Sequence, residues 1–299
     1  MRLFDLHCDT LGVLEAGGVP TVDIRRGGRY DGWTQVFAAW LSDDQSSGAA
    51  RLRCDALLDT ADRLIASQQV LPVRRTNDLT ADSIACRALL AVENGGVTAA
   101  DNSYFEHLYH RGVRLVTLTW NGNNPWGSGC FGAADSLTAA GEQAVQTMEA
   151  LGITVDVSHL NESGFHRVTQ IARRPFIASH SNAAAIHPHP RNLTDAQFCA
   201  IRDRGGVVGL NLYGDHLGGW DFTAVQRHLE HFLALDGETT VCIGSDLDGM
   251  TIPDHWDGIC VFEKLWQHLK GEGYPETLLD AVFYTNALAF FSNALAAKT

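Results

Sequence analysis

Apolar residues in this chain gather into short β-rich runs at 2–9, 34–42, 86–93, 113–120, 153–159, 175–180, 207–213 and 240–246. Helix-compatible stretches at 51–68, 137–150, 162–172, 194–204 and 223–235 separate most of them, and a last one at 276–293 follows. The stretch at 223–235 sits behind Asp221-Phe222-Thr223, a plausible cap. Strands alternating with helices predict a parallel sheet, wound as a barrel or as a doubly wound open sheet. The polar residues favour the barrel. A barrel collects its chemistry at the C-terminal ends of many strands, an open sheet near one switch point. Five of the eight runs finish on a potential ligand or acid–base group: His7-Cys8-Asp9, Glu93, Ser158-His159, Ser179-His180 and Ser245-Asp246. The expected fold is therefore an α/β (β/α)8 TIM barrel, one domain over 1–299, with a binuclear metal site at the strand C-termini.

Length fits that expectation, since 299 residues suit one barrel. A net charge of −13 disfavours a phosphate-backbone partner. No apolar run approaches the roughly 18 residues of a membrane span. Strand-like sequence starts at Arg2 with no basic and apolar leader before it, which reads as cytoplasmic. Seven cysteines are scattered singly without a CxxC pair, the pattern of reduced thiols rather than of a disulfide frame.

His7 and Asp9 are two apart on a strand, so both face the same way and Cys8 faces the helix layer. Alone, the pair reads first as a polar strand end. Glu93 closes the apolar run Arg87-Ala-Leu-Leu-Ala-Val-Glu93. There it needs a metal or a loop arginine, because a desolvated carboxylate is unstable unpaired. His159 and His180 each follow an apolar run and a serine. One such histidine reads as a satisfied core residue; two at matching strand ends are harder to explain that way. Three imidazoles and two carboxylates could serve two divalent ions, zinc first, with manganese, iron or cobalt as alternatives. Such a pair can activate a water and polarise a carbonyl. The lysines are Lys264, Lys270 and Lys298, all beyond the eighth run, so a barrel lysine carbamate cannot bridge the ions and Glu93 is the candidate bridge.

Around these residues, Arg191 could clamp a substrate carboxylate in bidentate fashion or pair with Asp195. His187 and His189 read as loop residues. Asp246 could shuttle a proton to a leaving amine, while Asp248, ahead of Gly249, reads as an Asx-type turn. The loop Thr119-Trp120-Asn121-Gly-Asn-Asn-Pro-Trp126-Gly-Ser-Gly129 could wall a substrate pocket or be a surface loop.

The segments Asp5-Leu-His7-Cys-Asp9-Thr, Val92-Glu93-Asn, Leu118-Thr-Trp120-Asn-Gly-Asn-Asn-Pro-Trp126, Asp156-Val-Ser-His159, Ser179-His180-Ser-Asn-Ala, His189-Pro-Arg191-Asn and Gly244-Ser-Asp246-Leu-Asp-Gly together resemble the membrane (renal) dipeptidase family of the amidohydrolase superfamily. The resemblance runs from residue 5 to 249. It implies a binuclear zinc hydrolase with His7 and Asp9 on one ion, His159 and His180 on the other, and Glu93 bridging. It further implies that Arg191 binds the C-terminal carboxylate of a dipeptide, that Trp120 and Asn121 lie in the substrate-binding loop, and that Asp246 handles the proton. Tolerance of a D-residue on the C-terminal side and a homodimer also follow from it. Trp120 departs from the pattern, which has a histidine there. Tryptophan offers one neutral N–H donor and no proton chemistry. That leaves open another carboxylate-bearing amide or a lactone as substrate, or a barrel kept for binding or pathway tailoring with impaired catalysis.

Overall fold

The computed structural model describes residues 1–80 and 86–296. Lys298 lies outside the described residues. The strands are β1 (Arg2–Cys8), β2 (Gly32–Trp40), β3 (Val70–Pro72), β4 (Cys86–Glu93), β5 (Val113–Thr117), a small hairpin of β6 (Asn123–Asn124) and β7 (Gly127–Ser128), then β8 (Thr154–Asp156), β9 (Val208–Leu210) and β10 (Val241–Ile243). The main sheet is parallel and ordered β8-β5-β4-β2-β1-β10-β9, with β3 paired to β4. It curls. Isolated parallel bridges join Asp156 to Ile177 and Ala178 to Val208, so backbone pairing passes from β8 through the 177–178 segment to β9.

That segment is the expected sixth run, 175–180, reduced to two bridges. The backbone leaves the ladder because Ser179 N–H donates to Asp156 Oδ1 and His180 N–H to Ser158 Oγ. The fifth run shortens for the same reason, with Ser158 N–H turned onto Asp156 Oδ1.

Helices cover the outside at Ser47–Ala66, Ala139–Leu151, Glu162–Ile171, Asp195–Asp203 and Phe222–Ala234, matching the expected stretches within a few residues. Helices at Asn102–His110 and Val261–Gly271 were not anticipated. Each expected stretch except the last begins behind a side-chain cap; Thr194 forms a capping box with Gln197, and Asp221 caps Phe222–Ala234.

Because helices cover one face and the curled interior buries the other, the strands are buried on both faces; all eight residues of β4 are buried. Period-two alternation divides them. Ala88, Leu90 and Val92 pack outward with the helices, while Leu89 and Ala91 pack inward with Val36, Ala38, Phe4 and Leu6. Glu93 and Trp40 continue the inward phase to the C-terminal edge, where they are register partners. In β1 the register shifts between Asp5 and Cys8, and Cys8 returns to the outer core as expected. The opposite end is plugged by the terminal helical segment Glu276–Ala296. By length and hydropathy it could cross a membrane, but its Tyr284, Ala287, Phe290 and Phe291 belong to the inner core, and Phe291 stacks on Phe4 at 5.4 Å. Cys8, Cys54, Cys86, Cys242 and Cys260 are buried thiols.

Candidate metal centre and substrate cavity

Two buried aspartates build the C-terminal end of the sheet. Asp5 accepts from Ser245 N–H (2.7 Å), Ser245 Oγ–H (2.6 Å) and Gln35 Nε2–H (2.8 Å). This ties the segment after β10 to β1 and brings Asp246 beside His7. Asp156 does the same on the far side, accepting from Thr117 Oγ1 (2.7 Å), Ser179 Oγ (2.5 Å) and the Ser158 and Ser179 amides (both 2.9 Å). Ser179, donating to Asp156, accepts from His180 Nδ1–H at 2.7 Å. His159 gives its Nδ1–H to Asn121 Oδ1 at 2.9 Å. Both imidazoles are thereby fixed with Nε2 toward the mouth, the arrangement that orients metal-binding histidines. His159 and Asp246 adopt left-handed backbone, φ +67° and +64°, a strained choice for such residues that clusters at functional sites.

Glu93 lies between the two groups. Its Oε2 is 3.2 Å from His7 Nε2, and its Oε1 is 2.9 Å from His159 Nε2 and 3.7 Å from His180 Nε2. His7 Nε2 also faces Asp9 Oδ2 at 3.5 Å and Asp246 Oδ1 at 4.0 Å. His159 Nε2 and His180 Nε2 are 2.9 Å apart, aimed at shared space. His7 Nε2 and Asp9 Oδ1 are buried without a hydrogen-bond partner. The sets His7–Glu93–His180 and His7–Asp9–Asp246 each bring their ligand atoms within 4.8 Å of one another. Orphaned buried donors and acceptors, imidazoles locked by outer partners and a carboxylate with one oxygen toward each side fit a cation-binding centre. The structure thus gathers His7, Asp9, Glu93, His159, His180 and Asp246, all singled out from sequence.

The charges are uneven. Burial disfavours the imidazolium of His7, but Glu93 and Asp9 outweigh it and hold its pKa well above the ordinary value. Burial raises Glu93 to about 7 against the pull of His7. Burial, opposed by His7 and helped by the Asp9 charge, raises Asp246 to about 6. His159 and His180 go the other way, far below the usual range, by burial and by the positive neighbours Arg191 and His7.

A cavity of about 910 Å³ opens over the centre, lined among others by Asp9, Glu93, His159, Arg191, Asp246 and Trp120. Arg191 is buried. Its guanidinium donates to His180 O (3.0 Å) and Ser181 Oγ (3.4 Å), and its Nε has no partner. It does not pair with Asp195, whose partner is His231 at 2.7 Å. Asp248 does not make the Asx-type turn expected from the sequence; its carboxylate instead ties the loop to the segment after β1, accepting from Thr10 Oγ1, Thr21 N–H and Thr21 Oγ1, each at 2.6 Å. Gly249 is required behind the centre, since a Cβ there would stand 2.3 Å from Asp9 Oδ2 and 2.7 Å from Asp246 Oδ1. Asn121 lines the cavity, but its side-chain oxygen is engaged by His159. Sequence reasoning missed Trp40, Asn211, Tyr213 and His216. Asn211 Nδ2–H donates to Asp246 Oδ2 at 3.0 Å, and the other three line the cavity. Trp40 was legible from the phase Val36, Ala38, Trp40. His187 and His189 remain outside any cluster of ligand atoms among the described residues.

The family model described as membrane dipeptidase, peptidase family M19, matches residues 2–299. The chain belongs to this family. With it, the chain belongs among the metal-dependent dipeptidases. It is 37% identical over 216 residues to an uncharacterized protein in the pqqA 5′ region of Klebsiella pneumoniae, covering 68% of this chain and 80% of that one. It is 27% identical over 272 residues to Dipeptidase 3 of Macaca fascicularis, covering 87% of this chain and 56% of that one. The chain therefore spans little more than half the length of that curated dipeptidase. Among solved structures it superposes on the metallopeptidase dipeptidase AC with a TM-score of 0.91 at 26% identity, covering 99% of both chains. A metallopeptidase from Rhodobacter sphaeroides, liganded with a phosphinate mimic of the dipeptide L-Ala-D-Ala, gives 0.86 at 26% identity over 98% of this chain and 99% of that one.

Proposed function

We propose that the chain is a binuclear zinc dipeptidase on a closed (β/α)8 barrel, with Glu93 bridging the ions, His7 and Asp9 on one and His159 and His180 on the other. The observation that carries this is the division of Glu93, with one carboxylate oxygen toward His7 and the other toward His159 and His180. When bound, the ions would supply an activated water and a Lewis-acid pull on the scissile carbonyl. Arg191 takes the substrate's C-terminal carboxylate at a site where its Nε lacks a protein partner. Asp246, held through Oδ2 by Asn211, receives the proton of the attacking water and delivers it to the leaving amine. Ser179 and Asn121 keep the two imidazoles in their binding tautomers.

A D-residue on the C-terminal side belongs to this reading; the phosphinate ligand of the Rhodobacter protein, which mimics L-Ala-D-Ala, supports it. On the same reading the chain is one domain, and its buried thiols suit a reducing cytoplasm. Trp120 favours one alternative, another carboxylate-bearing amide or a lactone, because an indole can donate a hydrogen bond but cannot transfer a proton. The test is hydrolysis of L,L and L,D dipeptides by zinc-loaded enzyme, before and after chelation. Chelator-sensitive turnover supports the dipeptidase. Two bound metals with turnover of N-acyl amino acids or lactones alone would move the substrate to the alternative.

A further inference from the structure

Arg191 and Trp40 follow strands on opposite sides of the curled sheet, with the Trp120 ring beside Trp40, and this sets the two ends of the cavity apart. In the order of backbone pairing, Trp40 ends β2 and Trp120 follows β5, flanking Glu93 at the end of β4. Arg191 follows the 177–178 segment, and Tyr213 and His216 follow β9, across the mouth. A substrate with its carboxylate on Arg191 and its amide over Glu93 therefore sends its other half toward the two indoles. Those rings meet edge to face, centroids 5.1 Å apart, and Trp120 is 6.4 Å from the ring of His159. The wall is pre-organised. The Trp120 backbone N–H donates to Asn94 Oδ1, and a Cβ on Gly129 would lie 1.9 Å from Trp120 O, so the loop's main chain is held at this point. The cavity lining also includes the small residues Gly12, Val13, Ala16 and Gly18, together with Arg53, which pairs with Glu15; nothing lies within 4 Å of a Cβ placed on Gly12. Trp40 is 36% exposed, unusual for an indole beside a buried centre and suited to a surface that a ligand covers.

We propose that Trp40 and Trp120 form the subsite for the residue that supplies the scissile carbonyl, and that it selects a large apolar or aromatic side chain there. The inference rests on the dipeptidase reading above and adds its side-chain preference. Aromatic packing and apolar burial act in the ground state as in the transition state, so the preference enters mainly through KM.

The test uses zinc-loaded enzyme and the series Gly-Ala, Ala-Ala, Leu-Ala and Phe-Ala, with binding of the same peptides followed by calorimetry. The expected kcat/KM for Phe-Ala exceeds that for Gly-Ala at least tenfold, chiefly in KM. Trp40→Ala and, separately, Trp120→Ala flatten the series to within about threefold, an aromatic increment of that size being what such contacts contribute. Trp120→Phe restores most of the slope, and metal content and melting temperature identify any variant that has merely misfolded. A flat series in the wild type, or a slope unchanged in both alanine variants, overturns the subsite. If no dipeptide turns over, the dipeptidase reading fails by itself. Tighter binding of Phe-Ala than of Gly-Ala would then still support the subsite, and equal or absent binding would overturn it.

Discussion

The two sides of the candidate centre are built alike and charged differently. On each, a buried aspartate, Asp5 or Asp156, gathers backbone amides and a serine hydroxyl, and so fixes the strand end that carries a histidine. On the Asp5 side that histidine faces Glu93, Asp9 and Asp246, and its proton affinity rises. On the Asp156 side, His159 and His180 face each other near Arg191, and theirs falls. The scaffold positions the ligands; the neighbours set their charge. One half offers excess negative charge to a cation, the other offers neutral nitrogen lone pairs. Glu93 faces both.

The most damaging change should therefore be Glu93→Gln, which weakens both halves. Metal content should fall below one ion per chain, and kcat should fall on the order of 10³-fold or more, the several kcal/mol a metal pair contributes. Loss of a single ion would show the halves to be independent. Arg191→Ala should be next, costing about 2–3 kcal/mol, roughly 30- to 150-fold in kcat/KM, for substrates with a free carboxylate. Amidated substrates should be nearly unaffected; equal loss for both would remove the clamp. Asn121→Ala, which frees His159 Nδ1, should lower metal affinity or activity about 10- to 100-fold on the imidazole side. Unchanged affinity would return Asn121 to a purely substrate-facing role.

The comparison also predicts opposite pH effects in metal-free protein. Glu93 and Asp246 are raised to about 7 and about 6, above their unfolded values. The stability they contribute is present at low pH and is lost as pH rises through those values. His159 and His180 are depressed, so the stability they contribute is present above the unfolded value near 6.5 and is lost as pH falls below it. Melting temperatures from pH 4 to 8 should show the acid-side trend diminished in Glu93→Gln and the histidine-side trend diminished in His159→Ala. The same change in both variants would dissolve the distinction.

Much of this was readable in the chain, because it depends on local pattern. Apolar runs ending in His7, Glu93, His159, His180 and Asp246 marked both the sheet and the rim where chemistry collects. The runs at 153–159 and 175–180 were read too long, because Ser158, Ser179 and Asp156 take the backbone out of the ladder through contacts 21 or 23 residues apart in sequence. Ser179, next to His180, was visible in the chain, but the outer partner Asn211 carries no short-range signal; its role exists only once the segments after β9 and β10 are adjacent. Trp40 was visible as a period-two extension of Val36 and Ala38, but only the pairing with Glu93 makes it part of a site.

The central claim is tested most directly by anomalous diffraction at the zinc edge from crystals of zinc-loaded enzyme. Two peaks roughly 3.5–4 Å apart, one on each side of the Glu93 carboxylate, are the predicted result. A single peak, or two that do not share Glu93, would contradict it.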